Sequence, residues 1–274
     1  MTAYNSYLRT DVLHTLQEPV TDEEGERSFL AVCQVQELYF CLIGTELRFA
    51  AQHLRKGETP AAAAALRRAA DHFLGLNASW KSLEWMTVGD FLPIKNGLGA
   101  AHGKSSSLQS WKYRDLVFLL GIRPHELADP VASMPDQHSA LLATLGEPSV
   151  YDDVVALLAR RGLSIPDAVL RRDPSTQHEP HPDVARAWTT VFYGGDPALA
   201  DLRFCGEALM RIAEGYAEYK HLHLVATRRT FGHRPGYYGT SGLGWLAETV
   251  AEVPFPELWS LDPETARVEN PCRT

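Results

Sequence analysis

The chain has 274 residues, 45% of them hydrophobic and 22% charged, which suffices for a globular core without disulfides. The net charge of −8 argues against a basic face that binds nucleic acid. No apolar run reaches the roughly 18 residues of a membrane span, and the N-terminus lacks the pattern of a signal peptide. The four cysteines show no metal-binding spacing, so we expect reduced thiols in a cytoplasmic protein.

The N-terminal part predicts a short helix and then a long one. Residues 1–17 carry Tyr4 and Tyr7 in an amphipathic pattern. A polar loop follows at 18–27, and Ser28 is a candidate N-cap for the next helix. The residues of that helix are apolar nearly all round, which is typical of a helix deep in a bundle.

The next hundred residues predict scaffold helices and one loop. Residues 59–80 form an alanine-rich pattern, with Thr59 as a plausible N-cap. Residues 99–107 predict a loop of small residues that contains His102, and 107–121 predict a core helix.

Prolines divide the region 122–202 into short predicted helices. One of them, at 184–195, has the pattern of a core helix. The segment 172–183 reads as a polar linker, so His178 and His181 are expected in a solvated loop and are poor ligand candidates.

A long helix begins near Phe204 and carries the strongest candidate for chemistry. Its apolar face continues by threes and fours to His223, and His221 lies about 200° away. That face is formed by Leu209, Ile212, Tyr216 and Tyr219. The helix is expected to end near Phe231, because Gly232 follows. A neutral imidazole on a buried face is a good axial ligand for haem iron. A packed or surface histidine is the alternative, and the spacing alone does not distinguish haem from no cofactor.

Four segments, in the same order, resemble the tryptophan 2,3-dioxygenase family. His223 lies nine residues before Gly232, Gly239 to Gly242 keep the back half of a glycine loop, and Trp245-Leu246 replaces a Tyr-Leu pair. The other matching positions are Phe29, Gln34, Glu37, Leu38 and Phe40; Leu83, Glu84, Met86, Thr87, Asp90, Phe91 and Leu98; and Gln109, Ser110, Tyr113 and Arg114. The resemblance covers roughly 1–122 and 204–246 and leaves the middle unmatched.

The resemblance implies an all-α helical bundle, one domain over 1–274, that encloses haem b between two core helices. It implies His223 as the axial ligand, oriented by a hydrogen bond from its other ring nitrogen. Further residues implied at the haem are Ser106, Ser107, Trp111, Tyr219 and Gly239. Dioxygen or peroxide would be the co-substrate, and the protein would be a homodimer or homotetramer.

The resemblance also implies a site for an aromatic amino acid. Its lining positions in this chain are Tyr4, Tyr7, Phe29, Phe91, Lys95, Tyr237, Tyr238 and Thr240. Tyr4 and Tyr7 fall on a segment that, in the family, reaches the site of a neighbouring subunit, with packing in a terminal helix as the alternative. Lys95 falls on an arginine that grips the substrate carboxylate, and lysine keeps the charge but loses the two-pronged geometry.

Three departures make this chain a divergent member. Cys33 stands where the family has a distal histidine, Lys95 replaces the arginine, and Tyr237 replaces a threonine. Because the loop at 99–107 is longer than in the family, either His102 or one of the two serines takes a position near the haem. His102 is therefore the candidate for the missing distal base, with a loop histidine as the alternative.

The departures favour oxygenation of tryptophan or a modified tryptophan, with insertion of one oxygen atom in natural-product biosynthesis. Three alternatives stay open: true tryptophan 2,3-dioxygenase activity, tyrosine 3-hydroxylation with peroxide, and binding of haem or an amino acid without turnover.

Overall fold

The computed structural model describes residues 2–103, 110–232 and 242–264, except for the side chain of Trp245. Over those ranges the regular structure is helical and contains no strand, which confirms the predicted all-α fold. The α-helices are α1 (Ala3–Leu8), α2 (Thr10–Leu13), α3 (Glu26–Lys56), α4 (Thr59–Ser79), α5 (Val88–His102), α6 (Trp111–Leu119), α7 (Pro135–Gly146), α8 (Val150–Arg160), α9 (Asp167–Leu170), α10 (Pro182–Tyr193), α11 (Ala200–Phe231) and α12 (Gly242–Thr249). Short 3-10 helices lie at Trp80–Leu83, His125–Leu127, Asp129–Val131, Pro197–Leu199 and Pro256–Trp259.

The core is built on three long helices, with α4 packed against both α3 and α11. The helix α4 can approach α11 closely because Gly215 has no side chain. A Cβ added there would lie 2.7 Å from Cβ of Phe73 on α4. Close by, the side-chain amide of Asn77 donates to the carbonyl of Gly215 at 3.0 Å. The alanines of α4 serve the same purpose, because small side chains let neighbouring helices come near, and the scaffold role predicted for this helix fits the packing.

The start of α3 differs from the expectation. The helix begins at Glu26 rather than after Ser28, and Gly25 precedes it without a side-chain cap. The Glu26 carboxylate is buried and accepts hydrogen bonds from the backbone N–H groups of Val20 and Thr21, each at 2.8 Å. A carboxylate in the first helical turn, where the helix dipole favours negative charge, therefore fastens the preceding loop to the helix.

Two other local predictions need correction. Thr59 does not cap α4, because its hydroxyl donates to Asp201 on α11 and Glu58 occupies the position before the helix. The predicted loop at 99–107 begins later than expected, because α5 continues to His102 and ends where Gly103 adopts a φ of 73°. The predicted end of α11 at Phe231 is confirmed.

The long helix α3 is not buried all round, contrary to the expectation from its composition. One face carries exposed apolar side chains at helical spacing: Val35, Leu38, Leu42 and Phe49. We call these four residues the α3 stripe. By length and composition this helix is long and apolar enough to cross a membrane, which differs from the expectation that no apolar run has that length, and 22% of the relevant window is buried. It packs against α4, α6 and α8, so its other face belongs to the protein core.

The prediction of a solvated linker at 172–183 is wrong in one respect, because His178 is buried. Its Nε2 lies 2.7 Å from a carboxylate oxygen of Glu257, and the Tyr151 hydroxyl donates to the other oxygen at 2.7 Å. The indole N–H of Trp188 donates to that hydroxyl at 3.2 Å. The sequence did not reveal this network, because Glu257 lies in the C-terminal segment, 79 residues from His178.

The described chain after α12, up to residue 264, is mostly irregular and packs against the bundle. After α12 ends at Thr249, the chain buries Phe255 and Leu258 in the main core. This packing carries Glu257 into the network with His178 and thereby ties the C-terminal segment to the region 122–202.

Candidate functional site

The face of α11 that was predicted from spacing is the face that packs into the protein. The four apolar residues expected on it are all buried: Leu209, Ile212, Tyr216 and Tyr219. His223 follows one turn after Tyr219 and is half-buried, whereas the side chain of His221 is exposed. The structure therefore separates the two histidines as the helical geometry requires.

Aromatic rings surround His223. Its imidazole stacks on the indole of Trp80, with ring centroids 5.3 Å apart and planes inclined by 19°. The ring of Tyr219 lies at 6.0 Å. Burial, and secondarily the positive charge of Lys220, lower the pKa of His223 to about 4. The imidazole is therefore neutral at physiological pH, which is the form that binds a metal.

Lys220 lies behind this histidine, on the same helix. Its side chain is only 2% exposed, and its Nζ lies 3.4 Å from both the Tyr113 hydroxyl and the Glu252 carboxylate. Burial lowers the pKa of Lys220, and the charge and hydrogen bond of Glu252 oppose that effect. A cation at this position discourages protonation of His223.

Phenylalanines from three helices form a second group of aromatic rings, which we call the apolar wall. The rings of Phe29 and Phe91 meet edge to face at 5.5 Å, and those of Phe91 and Phe231 lie 5.2 Å apart. The ammonium of Lys95 lies 4.6 Å from the centroid of the Phe231 ring. The structure thus brings Phe29, Phe91 and Lys95 together, beside the end of α11, with one positive charge at the edge of an apolar wall.

Cys33 lies half-buried on α3, one turn after Phe29. Burial, and secondarily the negative charge of Glu37, raise the pKa of its thiol to about 12. The side chain is therefore a neutral thiol, a weak hydrogen-bond donor that cannot act as a base near pH 7.

The donor set suits haem better than a metal ion held by several side chains. Within the described ranges, no three histidine, cysteine or acidic side chains come together as a metal site. Haem iron needs a single neutral imidazole, which His223 supplies, and a cleft with apolar and aromatic walls. The buried indole N–H of Trp80, beside that imidazole, has no hydrogen-bond partner among the described residues and is free to serve a ligand.

Other predicted site residues lie outside this arrangement in the chain described here. Tyr4 and Tyr7 are 68% and 87% exposed, on the helix α1, which has no buried residue. His102 is exposed at the end of α5, and Trp111 packs against a small cluster that contains Phe118 and Leu141. Six predicted positions lie outside the described residues, namely Ser106, Ser107, Tyr237, Tyr238, Gly239 and Thr240.

Three residues of the site were not predicted, namely Trp80, Phe231 and Lys220. Trp80 belonged to a segment interpreted as scaffold, yet it lies only three residues before the matching stretch that begins at Leu83. Lys220 lies three residues before His223, nearly one helical turn, so its place next to the candidate ligand was available from spacing. The expected hydrogen bond to the second ring nitrogen of His223 is not found among the described residues.

Comparison with known proteins gives the family of the chain. The family model for tryptophan 2,3-dioxygenase matches residues 1–130 and 125–263. The chain belongs to the tryptophan 2,3-dioxygenase family. The match includes the region 122–202, which was expected to be unmatched, so the short helices α7 to α10 are part of the family's pattern and not an insertion.

Named relatives give the same assignment over most of the chain. A protein of Caulobacter vibrioides named tryptophan 2,3-dioxygenase is 34% identical over 258 residues, covering 94% of this chain and 96% of that protein. A protein of the same name from Pseudomonas fluorescens is 34% identical and covers 94% of this chain and 89% of its own length. One from Bradyrhizobium is 33% identical over 260 residues.

Proposed function

We propose that this member of the tryptophan 2,3-dioxygenase family is a haem-dependent oxygenase of tryptophan or a modified tryptophan, with His223 as the axial ligand. The observation that carries the proposal is the neutral imidazole of His223, which lies on the buried face of α11 and stacks on the indole of Trp80. When bound, haem b supplies reduced iron that activates dioxygen. The protein supplies a single nitrogen ligand, apolar walls and one positive charge.

The walls suit an aromatic ring with a carboxylate. An indole packs well among Phe29, Phe91 and Phe231, because aromatic rings favour edge-to-face contacts at these separations. Lys95 then provides a charge-assisted hydrogen bond to the carboxylate at the edge of the wall. A lysine ammonium is a compact charge without the rigid two-pronged geometry of arginine, so we expect this site to tolerate modified amino acids better than a paired arginine contact would.

The neutral thiol of Cys33 determines what the distal side can do. It can donate a weak hydrogen bond, but it cannot remove a proton from the indole nitrogen near neutral pH. We therefore propose that oxygen is inserted while the indole N–H keeps its proton, and that a single oxygen atom is the principal gain. Ring-cleaving dioxygenation, the activity in the names of the relatives, is the second candidate.

The mass of the product separates these readings. The haem-loaded protein is incubated with tryptophan, methyltryptophan or tyrosine, under O2 with a reductant or with peroxide alone, and the products are weighed. Insertion of one atom from O2 requires two electrons from the reductant, whereas peroxide requires none. We expect a gain of one oxygen on an indole. A gain of two supports dioxygenation, oxygenated tyrosine supports the hydroxylase reading, and haem binding without any product supports a binding protein.

We also propose a homodimer or homotetramer in which residues 1–17 contact a neighbouring copy. The helices α1 and α2 bury no side chain in their own chain, although they carry Tyr4, Tyr7 and several aliphatic residues. The α3 stripe is a second apolar surface without cover. Exposed apolar patches of this kind mark contacts between proteins, and a second copy is the partner that the family implies.

A further inference from the structure

We propose that Trp80 is a positioning residue for the iron ligand, in that its indole face fixes the plane of the His223 imidazole. The inference rests on the proposed function, because it concerns the histidine assigned to the iron. A metal-binding histidine is usually oriented by a hydrogen bond from its second ring nitrogen, and outer partners of this kind strengthen metal binding about 10- to 100-fold. Here an aromatic surface takes the place of that hydrogen bond.

The geometry of the pair is that of an offset stack. The two ring planes differ by 19° and their centroids are 5.3 Å apart, within the range in which aromatic pairs attract each other. Rotation of the imidazole about its bond to Cβ would turn it out of this alignment and into the indole. The ring plane is therefore restricted, while both nitrogens remain on its edge, where a metal is bound.

Trp80 is itself held by the core. Its ring lies 6.0 Å from that of Tyr219, which in turn meets Phe40 edge to face at 5.6 Å and Tyr113 at 5.7 Å. Tyr219 is buried, so this aromatic series is anchored on three helices. The indole is thus a fixed surface and not a mobile side chain beside the histidine.

The position of Trp80 in the chain also matters. It opens the 3-10 helix Trp80–Leu83, which connects α4 to the segment leading into α5. The helix α5 carries Phe91 and Lys95. Trp80 therefore contacts the imidazole on α11 and also lies in the connection to α5, the helix that carries part of the apolar wall.

The test compares four forms of the haem-loaded protein: wild type, Trp80→Phe, Trp80→Leu and Trp80→Met. Phenylalanine keeps an aromatic face, whereas leucine and methionine fill space without one. The readouts are the iron–histidine stretching band of the ferrous protein and the rate of haem loss to an excess of a haem-scavenging protein. Trp259→Leu is the matched control, because Trp259 is half-exposed on the distant 3-10 helix Pro256–Trp259.

We expect Trp80→Phe and the control to resemble wild type in both readouts. We expect Trp80→Leu and Trp80→Met to shift or broaden the stretching band and to lose haem about tenfold faster. If the leucine variant does not fold, the methionine variant decides the matter. A wild-type band and wild-type haem retention in whichever aliphatic variant folds would overturn the positioning role. Failure of the wild type to show any iron–histidine band would instead overturn the proposed function.

Discussion

Lys95 is the residue of the site whose role in binding a carboxylate can be tested directly, because its ammonium lies over the Phe231 ring. Charge-assisted hydrogen bonds contribute about 1.5–3 kcal/mol. We therefore expect Lys95→Ala to weaken tryptophan binding about tenfold or more, and tryptamine, which lacks the carboxylate, to be unaffected. Titration of the haem spectrum with each compound measures both affinities.

Lys56→Ala is the control for the Lys95 experiment, because that lysine is exposed at the far end of α3. Lys95→Arg should bind tryptophan at least as well as the wild type, since it restores a two-pronged donor. Equal loss of tryptophan and tryptamine in Lys95→Ala would show that the residue supports the wall and does not bind a carboxylate.

Cys33 allows a prediction about pH. Because the pKa of its thiol is raised to about 12, the group stays protonated between pH 7 and 9 and contributes no ionisation to the rate in that range. We expect Cys33→Ser to keep the pH profile of the wild type, with a rate within a few-fold. Initial rates across this range test the point. A wild-type rate that rises tenfold per pH unit and loses that rise in Cys33→Ser would identify a catalytic thiolate.

For single residues, the sequence indicated those that belong to a local spacing pattern or motif. It missed those whose role depends on partners far away in the sequence. His223 and Lys95 could be proposed from the sequence because each lies in a continuous segment that resembles the family. Trp80 was missed because its role depends on α4 and α11 packing together. His178 was misjudged because a polar surrounding sequence says nothing about a carboxylate that arrives from the C-terminal segment.

Among the elements, α11 was predicted best and α3 least well. The former alternates buried and exposed faces, so periodicity located its buried face and its end at Gly232. The latter is apolar on faces that differ in burial, so composition could not show which face the protein core covers. The start of α3 was also not predictable from local sequence signals, because Glu26 begins the helix by accepting hydrogen bonds from the preceding loop.

The C-terminal segment is held by the Glu257 network, which makes part of the stability depend on pH. Burial alone would raise the pKa of Glu257, but hydrogen bonds and the charge of His178, together with the His181 backbone and Tyr151, outweigh it and keep the pKa lowered. A carboxyl with a lowered pKa in the folded state contributes stability above its unfolded pKa. That contribution is lost as the pH falls through the folded value.

We expect Glu257→Gln to destabilise the fold by about 1–3 kcal/mol near pH 7, because it removes a charged acceptor from buried partners. We also expect the variant to lose less stability than the wild type between pH 5 and 3. Urea unfolding at several pH values measures both effects. Glu248→Gln, on the exposed side of α12, is the control, and identical acid profiles for wild type and Glu257→Gln would refute the role of the network.

For the whole molecule, the α3 stripe is the surface most in need of cover. Specific interfaces bury about 1,200–2,000 Å² in total and centre on apolar residues. We expect Leu38→Glu combined with Leu42→Glu to lower the oligomeric state, because charges at the centre of such an interface are left without solvent. Light scattering after gel filtration gives the mass. Leu142→Glu, at a similarly exposed leucine of α7, should leave it unchanged.

A wild-type protein that is monomeric at all concentrations would contradict the oligomer, and an unchanged oligomer in the double variant would place its interface elsewhere. Whether activity depends on residues 1–17 is a separate question from the oligomeric state, because a segment can complete the active site of a neighbouring copy without forming most of the interface.

The central claim is that His223 holds the iron of a bound haem. His221, two residues away and on the opposite, exposed side of α11, is a natural control. Absorption spectra of the ferrous haem-loaded proteins compare the wild type, His223→Ala and His221→Ala, each with and without added imidazole. The account predicts that only His223→Ala loses the spectrum of histidine-bound haem and that imidazole restores it. A histidine-bound spectrum that persists in His223→Ala, or disappears in His221→Ala, would contradict the account.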